Sequence, residues 1–350
     1  MSHRFLTSMR ILVAAIAALS LSAAAGQAQA PAAKKPAAAK KWTAPHTPWG
    51  DPDLQGVWND ATSTPLERPG QLGEKGILTD EEAAGFQETL ADNLSRDRRD
   101  GGAEVDVNRA YNEHWMDARR LKITADHRTS LVVDPPDGRI PALAPLTPER
   151  QKVKAAQAAA ATRFNAGLPE RAEELSLPVQ CIIRTDLPPY LPTIYNNDFQ
   201  IFQSPGYVVI VPEMIHSARI IPMDGRPHIG QNLRQWLGDT RGRWDGNTLV
   251  LETTNFGMED RAIFQGANPA TFRITERFTR VDADTINYEF TIEDPKTWTK
   301  PWTALIPWTK IDPNEQMYEY ACHEDNYDIV HLLAGARSRE KNGQTQDSKR

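Results

Sequence analysis

The stretch RITERFTRVDADTINYEFTIE (residues 273–293) decides the fold. Apolar and polar residues alternate with a period of two on both sides of a short turn, which is typical of two neighbouring β-strands. Aspartate tolerates tight-turn geometry, and so short a connection joins antiparallel neighbours. The stretch therefore predicts an antiparallel β-hairpin.

The same period continues through the second half of the chain. Further predicted strands are FQIFQS (199–204), YVVIVPEMIHSARIIP (207–222), NTLVLETT (247–254), WTALIPWTKI (302–311) and QMYEYAC (316–322). Similar turns, each with a basic residue, an apolar residue and Asp, recur between them. We predict a mainly β fold, an antiparallel β-meander or barrel of lipocalin-like form, because closure removes exposed strand edges.

Three helices are expected beside these strands. Thr79 and Glu82 form a capping box that opens a peripheral helix. Thr147 caps a second peripheral helix, and Gly167 ends it. DNYDIVHLLAGARSREK predicts a C-terminal helix with one apolar face, capped by its first Asp or Asn.

The first residues are typical of a signal peptide. Arg4 and Arg10 precede an apolar run, and small residues follow with a cleavage signal after Ala28. The run is short for a membrane span, and no later segment is apolar enough to be one. We therefore predict a periplasmic or secreted protein with no transmembrane segment in the mature chain.

Composition divides the chain further. The predicted segments are a signal peptide (1–28), an Ala/Lys/Pro-rich tether (29–41), an N-terminal arm with a helical region (42–178), a β-barrel-like domain with a C-terminal helix (179–338) and a disordered tail (339–350). Residues 1–41 hold six of the 40 basic residues and no acidic one, so the rest carries 34 basic against 46 acidic residues, a formal charge of −12. A body this acidic argues against nucleic acid as a partner and leaves a small molecule as the expected one. The oligomeric state stays open.

The chain has only two cysteines, Cys181 and Cys322. In an oxidising compartment an even pair favours a disulfide bond. Two buried free thiols, or a metal bound by thiolates, remain as alternatives.

Polar residues on apolar strand faces mark a candidate catalytic site, because alternate residues of a barrel strand face inward. His216 and Glu276 each share a face with apolar residues, although each could equally be a hydrogen-bonded core group. His323 follows the last predicted strand, and a His beside a helix N-terminus tends towards the neutral form of a general base or metal ligand. Glu324 is its acidic neighbour, and the helix dipole alone would explain it. We predict these four residues as catalytic.

A second group combines arginine, tryptophan and histidine. It comprises Arg219, His228, Trp236, Arg243 and Trp244. Such a set suits an anionic, carbonyl-bearing or sugar-like ligand. The alternative is a set of salt bridges at the barrel rim.

The cofactor is left unassigned. His216, His228 and His323 could bind a metal ion, but their spacing matches no metalloprotease or zinc-finger pattern. The chain also lacks a G-x-S-x-G nucleophile elbow and a P-loop, and its glycine-rich stretch precedes a strand rather than a helix, unlike a dinucleotide fingerprint.

Several long motifs are distinctive: PWGDPDLQGVW, VVDPPDGRIP, IHSARIIPMDGRPH, GDTRGRWDGNTLV and YEYACHEDNY. With these motifs the chain resembles, over residues 45–340, a family of secreted and mostly uncharacterised bacterial proteins. The resemblance implies export and a β-rich body. It implies no reaction and no catalytic residue.

The leading hypothesis is an exported enzyme, a lyase or hydrolase on a small organic or glycosidic substrate. Histidine and carboxylate groups would supply acid–base chemistry, and arginine would hold an anion. The alternatives are a lipocalin-like small-molecule binding protein without catalysis, and a cell-envelope scaffold.

Overall fold

The computed structural model describes residues 42–94, 102, 121–165, 167–184, 187–215, 217–257 and 264–343. The chain divides into a unit of residues 1–42 and a unit of residues 43–350. The predicted signal peptide and tether lie outside the described residues, as do residues 344–350 of the predicted tail. Among the described helices, none is long and apolar enough to cross a membrane.

The second unit is built on one antiparallel sheet. Its described strands are β1 (Gly56–Asn59), β2 (Val132–Asp134), β3 (Asp198–Ser204), β4 (Tyr207–Pro212), β5 (Arg219–Pro222), β6 (Asp239–Asp245), β7 (Thr248–Thr254), β8 (Arg273–Arg280), β9 (Thr285–Glu293) and β10 (Trp302–Lys310). The order across the sheet is β5-β4-β3-β1-β10-β9-β8-β7-β6, and β2 also pairs with β10. The sheet curls until its two edge strands, β5 and β6, lie beside each other, so the barrel is nearly closed.

The predicted fold class is therefore confirmed. In the stretch 273–293, Arg273 pairs with Glu293 and Arg280 with Ile286, as expected of a hairpin. Buried and partly exposed residues alternate along β8, β9 and β10. The period of two thus locates the strands at the centre of the barrel wall.

Two predicted strands differ in the structure. The run 207–222 divides into β4 and β5, because the chain turns at Ile215, whose φ of 59° is left-handed. The stretch 316–322 is irregular, and Tyr318 in it is 72% exposed. β10 already has β9 on one side and β1 and β2 on the other, so a strand following it would find no free edge there.

Three short strands were not expected from the pattern. β1 comes from the supposed irregular arm and lies between β3 and β10, in the middle of the sheet. β2 and β6 are the other two. β6 carries several charged residues, so its composition is more typical of a turn than of a strand. In each case the neighbouring strands, rather than local alternation, establish the strand.

The described helices are α1 (Asp80–Leu94), α2 (Pro148–Asn165) and α3 (Asp328–Lys341). The capping box of α1 is confirmed: the Thr79 N–H donates to Glu82 Oε2 at 2.9 Å, and the Glu82 N–H to Thr79 Oγ1 at 3.3 Å. Gly167 follows α2 with a φ of 70°. α3 begins at Asp328, with Tyr327 as its N-cap. The expected cap Asp325 lies before the helix, because its backbone is left-handed at φ 54°.

Aromatic side chains fill the barrel interior. Those that are almost fully buried include Trp58, Phe199, Phe278, Tyr288, Phe290, Trp302 and Trp308. At one end the Arg280 guanidinium lies 5.3 Å from the centre of the Trp58 ring and donates to Asp53 O and Ala283 O. Burying a large apolar side chain contributes about 1.5–3 kcal/mol, so this cluster is the main source of stability.

The predicted disulfide bond is confirmed. Cys181 and Cys322 are joined across 141 residues of sequence, and the segment between β10 and α3 is thereby fastened to the turn around Cys181. The Asn326 amide adds a hydrogen bond to Val179 O at 3.1 Å. Farther along, Arg337 in α3 donates to Pro169 O and Glu170 O.

Candidate functional site

A buried ion pair crosses the barrel interior. Arg219 on β5 donates to both carboxylate oxygens of Glu276 on β8, at 2.6 and 3.1 Å, and the two side chains are 3% and 0% exposed. The Tyr288 hydroxyl donates to Glu276 Oε1 at 2.9 Å, and Arg219 donates to the Tyr190 hydroxyl at 3.0 Å. The Glu276 carboxylate is therefore fully hydrogen-bonded inside the barrel and has no contact with solvent.

The surroundings shift the pKa values of Arg219 and Tyr288. Burial alone would lower the pKa of Arg219, but the neighbouring Glu276 carboxylate outweighs it and raises that pKa above its usual range. Burial first, and then the charge of Glu276, raises the pKa of Tyr288 well above its ordinary value. Arg219 therefore remains a cation and Tyr288 a neutral hydroxyl inside the barrel.

The same arginine ties the edges of the barrel together. Its second terminal nitrogen donates to Thr240 Oγ1 on β6 at 3.1 Å and to Thr253 Oγ1 on β7 at 3.2 Å. No backbone hydrogen bond joins β5 to β6 among the described residues. Arg219 therefore links the two edge strands through its side chain.

A second polar group lies at the surface, where β6 begins. His228 Nδ1 is 2.8 Å from Asp239 Oδ2, and the side chains are 29% and 5% exposed. Asp239 also accepts from the Ile229 N–H at 3.0 Å and from Arg241 at 2.6 Å. A carboxylate on Nδ1 holds the imidazole proton there and leaves the Nε2 lone pair available, as in a general base.

The loop that carries His228 is fixed from the other side. Asn255, just after β7, donates its amide to Ile229 O at 2.9 Å and to Gly230 O at 3.3 Å. Its backbone is left-handed, at φ 56°, a conformation that asparagine tolerates better than most residues. The position of the imidazole is thus set by a carboxylate on one side and an amide on the other.

His228 lines a pocket of about 440 Å³. Arg234, Asn255, Phe272 and Arg273 are also in its wall. Arg234 is held by Pro269 O at 2.7 Å, whereas Arg273, at the exposed start of β8, has no hydrogen-bond or ion-pair partner among the described residues. The pocket therefore offers an anion an uncompensated positive charge beside the imidazole.

The remaining predicted site residues lie elsewhere. His216 is outside the described residues, and His323 and Glu324 are exposed between β10 and α3. Glu276 is sealed in the barrel, so the described part of the predicted catalytic set is divided between the interior and an exposed segment.

The predicted ligand-binding residues are also dispersed. Arg243 is exposed and pairs with Glu252 at 2.8 Å. Trp244 packs against the core, and Trp236 lines a separate pocket between β5 and β6. Of this group, His228 alone lies in the wall of the 440 Å³ pocket. Within the described part of the chain, no cluster of three or more His, Cys, Asp or Glu residues could hold a metal ion.

Sequence reasoning missed Asp239, Arg273 and Asn255. The available signal is a His and an Asp eleven residues apart, with the positive-φ Gly238 directly before the Asp. Such a loop can fold back and bring its two ends together. Nothing local places Arg273 beside it, because β8 reaches this edge only through the sheet.

No family model, curated protein or solved structure matches the chain. The fold and the site together define a nearly closed antiparallel β-barrel with a surface pocket whose wall includes a histidine held by a carboxylate.

Proposed function

We propose that the protein is an enzyme that performs general acid–base catalysis on a small organic anion. The observation that carries the proposal is the 2.8 Å contact by which Asp239 Oδ2 holds Nδ1 of His228, a residue in the wall of the 440 Å³ pocket. His228 acts as the base, Asp239 orients it, and Arg273 binds the anionic group of the substrate.

In the proposed chemistry one proton moves through His228. His228 Nε2 takes a proton from water or from a substrate carbon, and Asp239 stabilises the imidazolium that forms. The same proton then passes to the leaving group, which completes a hydrolase or a lyase reaction. A positioned base of this kind contributes about 10²–10⁴-fold in rate. Arg241 holds the other oxygen of the Asp239 carboxylate through a 2.6 Å contact.

This proposal takes His228, which shares a pocket with Arg273, in place of His323 and Glu324. The exported location remains part of the proposal and is supported by the disulfide bond and by the signal-like residues 1–28. The resemblance to secreted bacterial proteins and the lipocalin-like form of the barrel agree with it.

A binding protein without catalysis is the second candidate. Aromatic residues fill the barrel interior, so a carrier would hold its ligand in a surface pocket, and Arg273 would serve it equally well. The two functions differ in what His228 does.

Both candidate functions are tested by titrating the ¹⁵N-labelled protein with a panel of small carboxylates, esters and sugar acids. Turnover assays are then run on the compounds that bind. Arg273→Met should weaken binding about tenfold or more. Arg277→Met, on the same strand but paired with Asp245 at 3.0 Å and outside the pocket, is the matched control and should leave binding unchanged.

His228→Gln should lower turnover about 10²–10⁴-fold and change binding little. Asp239→Asn should move the imidazole proton away from Nδ1, seen in the ¹⁵N shifts of the ring. Binding without turnover in the unaltered protein would favour the carrier. Full turnover in His228→Gln would refute the enzyme.

A further inference from the structure

The two edge strands of the barrel border a cleft. Among the described strands β5 pairs with β4 and β6 with β7, so the facing edges of β5 and β6 are not joined by a backbone ladder. Thr240 O on β6 already accepts from Arg241 at 2.8 Å. A cavity of about 560 Å³ lies between residues 217–220 on one side and residues 238–241 on the other. It is separate from the pocket of His228, and Asp239 forms part of the partition between them.

The strands meet beyond one end of this cleft. A Cβ atom on Gly242 would lie 2.3 Å from Met223 Sδ and 3.1 Å from Ile221 Cγ2, so β6 rests directly on the end of β5 there. Towards the start of both strands the cavity separates the two backbones. Arg219 reaches Thr240 from the interior, below the strand edges.

The charges in the cleft walls are already compensated. Arg219 is paired with Glu276 at 2.6 Å, and Arg241 with Asp239 at 2.6 Å. An anion entering the cleft would have to displace one of these carboxylates. The cleft therefore favours an uncharged occupant that can both donate and accept hydrogen bonds.

The rest of the lining is mostly apolar, with Ser217 and Gln235 as further polar residues. Ile182 and Ile183 lie on one side, Trp236 and Leu237 on another, and Ile220 on β5 is 67% exposed. Unpaired strand edges together with alternating apolar contacts are the features that recognise a peptide in an extended conformation.

We propose that the β5–β6 cleft binds an extended peptide segment by strand addition. The segment is about four residues long, the length of β5. Its backbone hydrogen-bonds to a free edge of the barrel, and its alternate side chains pack on Trp236 and Ile220. A second class of ligand is thereby assigned to the protein, at a site independent of His228.

The test uses a blocked pentapeptide of alternating threonine and valine, titrated into the full-length ¹⁵N-labelled protein. We expect saturable shifts centred on the amides of residues 217–220 and 238–241. The same peptide with alternate backbone nitrogens methylated loses its donors, and it should bind about tenfold more weakly or worse.

Two variants separate the cleft from the rest of the surface. Ala218→Trp fills the cleft from an exposed position and should abolish the shifts. Ala283→Trp places the same side chain on the exposed turn between β8 and β9 and should leave them intact.

Three results would overturn the proposal: no saturable shift at millimolar peptide, equal binding of the methylated peptide, or unchanged binding in Ala218→Trp. Peptide binding that persists in His228→Gln supports a separate site. Its loss in that variant would contradict the independence claimed here.

Discussion

Replacing Glu276 with Gln should destabilise the barrel strongly, because it leaves the charge of Arg219 without a partner in the interior. The change keeps the size of the side chain and an oxygen for the Tyr288 hydroxyl. It removes the negative charge that lies 2.6 Å from the guanidinium, in a place where both side chains are at most 3% exposed. Removing one partner of a buried ion pair costs about 3–5 kcal/mol.

The double variant Arg219→Met/Glu276→Leu should lose much less stability than the single variants Arg219→Met and Glu276→Leu added together. It buries no charge, and exchanging a buried pair for apolar residues is often nearly neutral. Some cost remains, because the hydroxyls of Tyr190 and Tyr288 each lose one hydrogen bond at about 1 kcal/mol. Thr240 and Thr253 keep the 3.0 Å contact between their hydroxyls.

Urea unfolding followed by tryptophan fluorescence, with the disulfide bond intact, measures these free energies. Asp245→Asn is the matched control, because it removes the carboxylate from an exposed pair with Arg277 and should cost about 0–1 kcal/mol. The reasoning is refuted if Glu276→Gln costs no more than this control. It is refuted equally if the losses of the two single variants are additive in the double variant.

Three further predictions concern other groups. Burial raises the pKa of Asp60 well above its usual range. The contribution of Asp60 to stability is therefore complete below the unfolded-state pKa of about 4, and it is lost as pH rises through the folded-state pKa. Asp60→Asn should therefore flatten the fall in unfolding free energy above about pH 4, and an unchanged pH profile would contradict this. Replacing Cys181 and Cys322 with Ser opens a loop of 141 residues and should lower the unfolding free energy by about 5 kcal/mol in the chain-entropy model, seen as a lower urea midpoint. Gly238→Ala should cost more than Gly246→Ala in the same assay: both residues have positive φ, but only at Gly238 would the new Cβ meet other atoms, the nearest at 2.6 Å.

How much of the fold the sequence predicts depends on how far apart the interacting residues lie. β8 and β9 follow from alternation within 273–293, because a hairpin pairs residues that are close in sequence. β1 has four residues, and its register depends on Asp198 and others well over a hundred positions away. Its pattern is too short to distinguish a strand from an irregular arm.

The same limit applies to the polar groups. Alternation places Glu276 on the apolar face of β8, and the structure buries it there. Alternation does not identify Arg219 as the partner of Glu276, because that contact exists only when the sheet curls and brings β5 to β8. His228 stands out by composition, whereas Asp239 is recognisable only once the loop between them has folded back.

The disulfide bond also constrains the order of events during synthesis. Cys181 leaves the ribosome 141 residues before Cys322, and every strand from β3 to β10 is encoded between them. At typical elongation rates this interval lasts roughly 10–30 s. The chain contains no third cysteine, so until Cys322 is available Cys181 can form a wrong disulfide only with a thiol of another molecule. Misoxidation of this protein is therefore a bimolecular problem that grows with concentration, and the native bond forms only after the last barrel strand has emerged.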